Sequence, residues 1–216
     1  MRPRLVLWSF SSLIPVIHFS IVSMNAGLRI QFEKIKMSVH YKTINKLKET
    51  QELIDLYRDD LDSNAFTGII ADYSDKFVLL SLFTEEGVAN GFSLVYGEDI
   101  TRIRWGGNFL ESLYALIKRN QAAPCMPGIA INSLHEALAS IQEQFGHVTL
   151  HTERVRNDVC FIGEVEELDQ DFLVLHEYGT RENRDRKHTL LALDLITRVD
   201  AEAVYEKNLK YLYSRS

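Results

Sequence analysis

A block of fifteen residues occurs twice in this chain, and it constrains the fold more than any other feature of the sequence. Residues 66–80 align without a gap on residues 161–175, a shift of 95 positions. The aligned pairs are Phe66 with Phe161, Gly68 with Gly163, Phe77 with Phe172 and Leu80 with Leu175. Because a fixed internal period is the signature of a repeated structural unit, we expect two copies of one architecture.

A second pair of segments extends the repeat towards the C-terminal side of each copy. Ile100-Thr-Arg-Ile103 matches Ile196-Thr-Arg-Val199 with a shift of 96 positions, so one residue is inserted between the two matches. Apolar residues three positions apart do not share one face of a regular strand. We therefore expect a tight turn inside each segment.

Apolar patterns predict the strands of both copies, and helical spacing predicts the elements around them. In the first copy, strands are predicted at 66–71, 77–83, 92–96 and 100–105, with helices at 43–60 and 109–119, the second capped by Asn108 and Glu111. In the second copy, Ser133 and Glu136 form a capping box for a helix that ends at Gly146. Strands follow at 147–153, within 161–175 and at 189–199, and Asp200 is predicted to cap a closing helix.

These patterns predict a mostly β, α+β protein. Each copy is expected to form a small five-stranded barrel with a bent sheet, an N-terminal helix and a C-terminal helix, the two barrels being in tandem. The predicted segments are a hydrophobic leader at 1–36, a first unit at 37–120, a linker at 121–131 and a second unit at 132–216. Pro124, Pro127 and Gly128 mark the linker.

Charge and cysteine content limit the partners and the compartment. The chain has 216 residues and a formal net charge of −6, which disfavours broad electrostatic binding to nucleic acid. Cys125 and Cys160 are too few for a secreted disulfide scaffold, so we expect free, mostly buried thiols in the reducing cytoplasm.

The first residues leave several alternatives open. Residues 5–22 contain no charged side chain and follow Arg2 and Arg4, a pattern typical of a signal peptide or a short membrane anchor. An anchored or exported protein is then the alternative to a cytoplasmic one. A start codon placed too early is the other explanation, since the regular pattern begins just after Met37.

The order of Phe66, Gly68, a turn and an apolar run resembles the first motif of the Sm-like family. The segment Gly97-Glu-Asp-Ile100 is similar to the short glycine turn of that family's second motif. An SH3-like barrel of another lineage gives much the same pattern. The resemblance implies a five-stranded bent sheet behind a helix, RNA binding, and rings formed by pairing of strand edges between neighbours.

The family's RNA-binding residues are largely absent from this sequence. The family uses an Asp and an Asn in its first motif and an Arg-Gly in its second. In the first copy these places hold Ser74, Val78 and Tyr96, and in the second copy Asp169 fits but Leu173 replaces Asn. The resemblance therefore favours the fold more than it favours RNA recognition.

Basic and aromatic residues form the only candidate binding surfaces in the sequence. The loop ending in His188 is the best anion or nucleic-acid candidate, and the alternative is a solvated hairpin tip. An Arg-aromatic strand at 102–105 either binds single-stranded nucleic acid by stacking or is a strand with one wet face. The candidate contacts are Tyr73, Arg102, Arg104, Arg181, Arg184, Arg186 and Lys187.

No catalytic, cofactor-binding or metal-ligating residue is assigned from the sequence, and no cofactor is expected. His147 and His151 would lie about 13 Å apart on one strand, too far to share an ion. His151, His176 and His188 meet only if the fold brings them together. The acidic residues between Glu164 and Asp171 are explained as outward positions on a strand.

We expect a non-enzymatic binding or assembly module that acts through exposed strand edges, with a protein partner or a second copy of the chain as its partner. No small-molecule substrate is inferred. The alternative function is RNA or single-stranded nucleic-acid binding through the barrel loops.

Overall fold

The structure is a computed structural model, and it describes residues 40–180, 182–183 and 185–214. The chain divides into two compact units, residues 1–45 and residues 46–216, and the strands reported below all belong to the second unit. The predicted leader at 1–36 lies outside the described residues. In the part of the chain that is described, no helix is both long enough and apolar enough to cross a membrane.

The first strand of the first copy lies where the sequence predicts a helix. Its elements are α1 (residues 40–50), β1 (Ile54–Arg58), β2 (Asp62–Tyr73), β3 (Phe77–Phe83), β4 (Ala89–Tyr96), β5 (Arg102–Trp105) and α2 (Asn108–Asn120). The predicted helix at 43–60 is wrong beyond residue 50, because Ile54, Leu56 and Arg58 alternate as buried positions of a strand. The predicted Asn108 cap is also wrong, since Gly107 is the N-cap of α2.

The second copy repeats these elements in the same order. They are α3 (Leu134–Phe145), β6 (Val148–Thr152), β7 (Arg156–Leu168), β8 (Phe172–Glu177), β9 (Lys187–Ala192), β10 (Arg198–Ala201) and α4 (Val204–Tyr213). The capping box of α3 is confirmed: the Ser133 side chain accepts from the Glu136 amide, and Gly146 ends the helix in a left-handed conformation. The predicted Asp200 cap is wrong, since Asp200 lies in β10 and Ala203 is the N-cap of α4.

The ten strands form one antiparallel sheet in the order β5-β1-β2-β3-β4-β10-β6-β7-β8-β9. The prediction of two tandem five-stranded barrels is therefore wrong. Strand β4 of the first copy pairs with β10 of the second copy, so the hydrogen bonding continues from one copy into the other. The sheet does not close on itself, and β5 and β9 are its two ends. Which edges pair over so large a sequence separation is not encoded in local apolar patterns.

The two copies of the repeated block occupy matching places in this sheet. They form β2–β3 and β7–β8, and both pairs carry a bulge at the same point, between Ile70 and Asp72 and between Val165 and Glu167. If the strands are counted within each copy, both copies have the order 5-1-2-3-4. The repeat in the sequence therefore corresponds to a repeat in topology.

The shared glycine of the block has a steric reason. A Cβ atom on Gly68 would lie 2.1 Å from the carbonyl oxygen of Ser81, and one on Gly163 would lie 2.3 Å from that of His176. Only glycine allows the neighbouring strand to approach so closely.

The main core lies under the junction of the two copies. Phe92 and Leu94 from β4 pack in one apolar cluster with Val199 from β10 and with Leu138 and Ile141 from α3. Because β4 belongs to the first copy and α3 and β10 belong to the second, both copies contribute to one core. Its burial supplies the hydrophobic stabilisation of the junction.

Candidate assembly interface

The pairing of β4 with β10 joins the two copies and is described here as the internal joint. Its cross-strand pairs are Val95 with Arg198, Leu94 with Val199, Ser93 with Asp200 and Phe92 with Ala201. The Ser93 hydroxyl donates a 2.6 Å hydrogen bond to Asp200. Leu94 and Val199 are each only 1% exposed, so the apolar part of the joint is dry.

A carboxylate beside the joint is held by the repeated Thr-Arg pair of the second copy. Thr197 Oγ1 donates to Glu153 Oε2 at 2.7 Å and accepts from the Glu153 amide at 3.1 Å. Arg198 Nη1 lies 2.9 Å from Glu153 Oε1. The predicted position of the turn is wrong: the 3-10 turn at Leu193–Leu195 ends just before Ile196, and the matching turn of the first copy, Gly97–Asp99, ends just before Ile100.

The first copy completes this carboxylate site across the joint. Arg58 is fully buried, and its Nη2 donates to Glu153 at 2.7 Å while its Nη1 donates to the Thr197 carbonyl. The ring of Phe66 lies against both Arg58 and Arg198, 4.9 and 4.8 Å from their guanidinium carbons. Burial alone raises the pKa of Glu153, but the hydrogen bond from Arg58 and the charge of Arg198 outweigh it, and the pKa lies below its ordinary value.

The Asp200 carboxylate belongs to the same cluster of charges. Its oxygen lies 3.1 Å from Arg198 Nε and 3.0 Å from His151 Nε2. Desolvation raises the pKa of Asp200, yet Arg198, His151 and the Ser93 hydroxyl together hold it below its ordinary value. The ionised groups at the internal joint are therefore stabilised by one another and by hydrogen bonds from the hydroxyl groups of Ser93 and Thr197.

The Thr-Arg pair of the first copy builds the same arrangement at the free end of the sheet. Thr101 Oγ1 donates to Asp59 Oδ2 at 2.6 Å and accepts from the Asp59 amide at 3.1 Å. Arg102 Nη2 lies 2.8 Å from Asp59 Oδ1. Asp59 and Arg102 are each 40% exposed, whereas Glu153 and Arg198 are 3% and 11% exposed. At the β5 end of the sheet, Thr101, Arg102 and Asp59 thus repeat in an exposed position the arrangement that Thr197, Arg198 and Glu153 form at the internal joint.

The other end of the sheet presents an exposed copy of the apolar half. By register, Leu190 of β9 stands where Leu94 stands in β4, and Phe172 stands where Phe77 stands. Leu190 is 65% exposed and Phe172 is 44% exposed, but their counterparts are almost completely buried. Among the described residues, no strand pairs with the outer side of β5 or of β9.

Arg102 and Arg104, predicted as nucleic-acid contacts, lie on the end strand β5. Arg102 bonds Asp59 through two nitrogen atoms and stacks over the Tyr57 ring at 3.8 Å. Arg104 lies 5.2 Å from the centre of the same ring. The predicted Arg-aromatic strand is therefore present, with Arg102 already neutralised by a carboxylate.

The remaining candidates lie elsewhere in the sheet. Tyr73 ends β2, where Lys48 stands over its ring. Arg186 is bound to Glu164 at 3.1 Å and packs on Tyr178, and Lys187 begins β9 near Glu177. Arg181 and Arg184 lie outside the described residues. Since β5 and β9 are at opposite ends of the sheet, the structure does not bring Arg102 and Arg186 into one site.

Sequence reasoning missed the residues that hold the joint. Arg58 falls within the helix predicted at 43–60, whereas the structure places it at a buried position of β1. The sequence shows the repeated Thr-Arg pair, but its partner carboxylates, Asp59 and Glu153, lie 42 and 44 residues from the threonine and no local pattern links them to it. The free cysteines also differ from expectation in part, because Cys160 is exposed and only Cys125 is half-buried.

No family model matches this chain, and no curated protein and no solved structure is significantly similar to it. The Sm-like resemblance stays a prediction.

Proposed function

We propose that this protein is a non-enzymatic assembly module whose copies join head to tail. In this assembly, β5 of one copy pairs in the antiparallel direction with β9 of the next copy and extends the sheet. The occupant of each free edge is thus a second copy of the same chain. The proposal keeps the cytoplasmic location that the sequence predicts.

One observation carries the proposal. Within the molecule β4 pairs with β10, and the strands equivalent to these two, β9 and β5, are the unpaired strands at the two ends of the sheet. The internal joint pairs the fourth strand of one copy of the repeat with the fifth strand of the other. The free ends are again a fourth strand, β9, and a fifth strand, β5. Exposed edges of this kind offer unpaired backbone donors and acceptors for another strand.

The internal joint also supplies the register of the proposed contact. The pairs expected by equivalence are Arg102 with Leu191, Ile103 with Leu190, Arg104 with Thr189 and Trp105 with His188. Ile103 would cover Leu190 as Val199 covers Leu94. Neither arginine faces a basic residue, so the register places no like charges opposite each other.

Engineered cysteines test both the contact and its register. Cα atoms of directly opposed residues lie within disulfide range, so an Ile103→Cys variant mixed with a Leu190→Cys variant should form a disulfide between copies. Both variants carry Cys125→Ser and Cys160→Ser. We expect cross-linked species on non-reducing gels only in the mixture, because each variant alone lacks one partner.

The matched control replaces Leu190→Cys with Thr189→Cys, whose side chain points to the other face of the sheet. It should cross-link far less. In parallel, Leu190→Lys should weaken self-association in sedimentation velocity by about tenfold or more, and Met126→Lys, an exposed apolar residue of the linker, should not. A wild-type protein that is monomeric at every concentration, or equal cross-linking at residue 189, would contradict the proposal.

Binding of RNA or single-stranded nucleic acid is less well supported, because the candidate contacts are dispersed and Arg102 and Arg186 are paired with carboxylates. Nucleic-acid binding can be tested on the same purified protein. Co-purifying RNA that is lost in salt and on neutralising Arg184, Arg186 and Lys187 would favour it.

A further inference from the structure

Two histidines and one glutamate meet on the surface of the second copy. His176 of β8 stands directly opposite His188 of β9 in the strand register. Their rings are stacked, with centres 4.3 Å apart and planes 10° from parallel. Glu166 of the neighbouring strand β7 is the third member, so the group spans three adjacent strands.

The bulge in β7 explains why Glu166 reaches the histidines. The register of β7 against β8 shifts between Val165 and Glu167, so Glu166 is the extra residue at that point. A bulge re-aims a side chain relative to regular pairing. One oxygen of the Glu166 carboxylate lies 3.1 Å from His176 Nδ1, and the other oxygen lies 3.1 Å from His188 Nε2.

These three groups form a donor set for a metal ion. One ligand atom from each residue lies within 4.8 Å of the other two. Tetrahedral zinc with ligand bonds of about 2.0–2.2 Å needs donor atoms roughly 3.3 Å apart. Each histidine nitrogen already lies near that distance from one of the two Glu166 oxygens. Binding through a single Glu166 oxygen requires a small rotation of that carboxylate or of the His188 ring, and the His188 side chain is 59% exposed.

We propose that Glu166, His176 and His188 bind a divalent transition-metal ion of the zinc type. Imidazole nitrogen suits zinc, nickel and copper, whereas magnesium and calcium prefer oxygen ligands. Three protein ligands leave one position of a tetrahedral ion for water. The bound ion would tie the end strand β9 to β8 and β7, and the site does not depend on pairing between copies.

Sequence spacing could not reveal this site, and no metal ligand was assigned from it. The three residues are 10 and 12 positions apart and lie on three strands. His151, the other histidine considered with them, is in the internal joint beside Asp200. Only the pairing of the strands shows that His176 and His188 lie together with Glu166 and that His151 lies elsewhere.

The test is a calorimetric titration of the full chain, made without a histidine tag, with zinc chloride. We expect one ion per chain. We expect His176→Asn or His188→Asn to weaken zinc binding by at least about tenfold, because even the loss of a group that only supports a ligand costs that much. Glu166→Gln should weaken it less. The matched control is His135→Asn, an exposed histidine of α3, which should leave affinity within about twofold.

A cobalt titration provides a second readout, since tetrahedral Co²⁺ with nitrogen ligands gives visible absorption bands. These bands should appear with the wild type and with His135→Asn and should be absent from the double variant His176→Asn/His188→Asn. Circular dichroism checks that each variant is folded. Zinc affinity equal in the wild type and the double variant, or equal losses for His135→Asn, would overturn the proposal.

Discussion

At the scale of single residues, the most informative feature is a pair of similar ion pairs in different surroundings. Arg198 and Glu153 are buried in the internal joint, and Arg102 and Asp59 repeat their geometry at the surface. A buried pair gains more from mutual attraction, but each partner becomes very costly if the other is removed. An exposed pair is weak because solvent screens it.

Replacing Glu153 should therefore cost much more than replacing Asp59. Glu153→Gln leaves Arg58 and Arg198 with an uncharged partner in a dry environment, and we expect a loss of about 3–5 kcal/mol in the free energy of unfolding. Asp59→Asn, the matched exposed change, should cost far less, because solvent screens that pair. Urea denaturation at neutral pH measures both, and similar losses for the two variants would show that the joint does not rely on the buried pair.

The same cluster should make the protein sensitive to acid. The folded pKa values of Glu153 and Asp200 lie below their ordinary values of 4.5 and 3.8. Their contribution to stability is complete above the unfolded pKa and is lost as the pH falls through the folded pKa. We expect the free energy of unfolding to fall below about pH 4.5, and less steeply in Glu153→Gln. A parallel fall in both proteins would assign the acid response to other groups.

At the scale of elements, the repeated block specifies a strand, a bulge and a second strand in close contact. In both copies a glycine sits where the neighbouring backbone leaves no room for a Cβ atom. In the second copy the adjacent bulge also brings Glu166 to His176 and His188. Both copies of the block thus provide close packing of two strands, and only the second copy also brings together Glu166, His176 and His188.

Gly163→Ala should disrupt the close packing of β7 against β8. The new methyl group would approach the His176 carbonyl oxygen, and the strands must separate, at a cost of about 1–3 kcal/mol. Gly128→Ala is the control, since a Cβ atom there meets nothing within 4 Å. Thermal unfolding compares the two, and an unchanged melting temperature for Gly163→Ala would mean that the strands adapt without strain.

At the scale of the whole molecule, the two copies behave as one sheet with two different ends. A contact that joins different ends is head to tail, and it closes into a ring if the rotation permits or otherwise continues as a filament. A two-fold dimer would instead pair β5 with β5 or β9 with β9. A two-fold contact lets a single cysteine variant cross-link by itself where the axis passes beside that residue, whereas the head-to-tail contact gives a cross-link only in the mixture.

The sequence by itself determined the duplication, most strand positions, the capped helix α3 and the glycine of each block. These follow from local periodicity, capping chemistry and sterics, which act over a few residues. The boundary between α1 and β1 was not predictable, because Ile54 and Leu56 fit a broad helical face as well as an alternating strand. Their pairing with β2 and β5 makes this segment a strand.

Only the tertiary structure decided how the copies join and which side chains meet. Pairing of β4 with β10 depends on which edges remain free after each copy has folded, and no local pattern encodes that choice. The same pairing buries Arg58 with Glu153, and the lateral order of β7, β8 and β9 brings Glu166, His176 and His188 together. Long-range strand order sets both arrangements, because a strand's neighbours are chosen by geometry in space and not by distance along the chain.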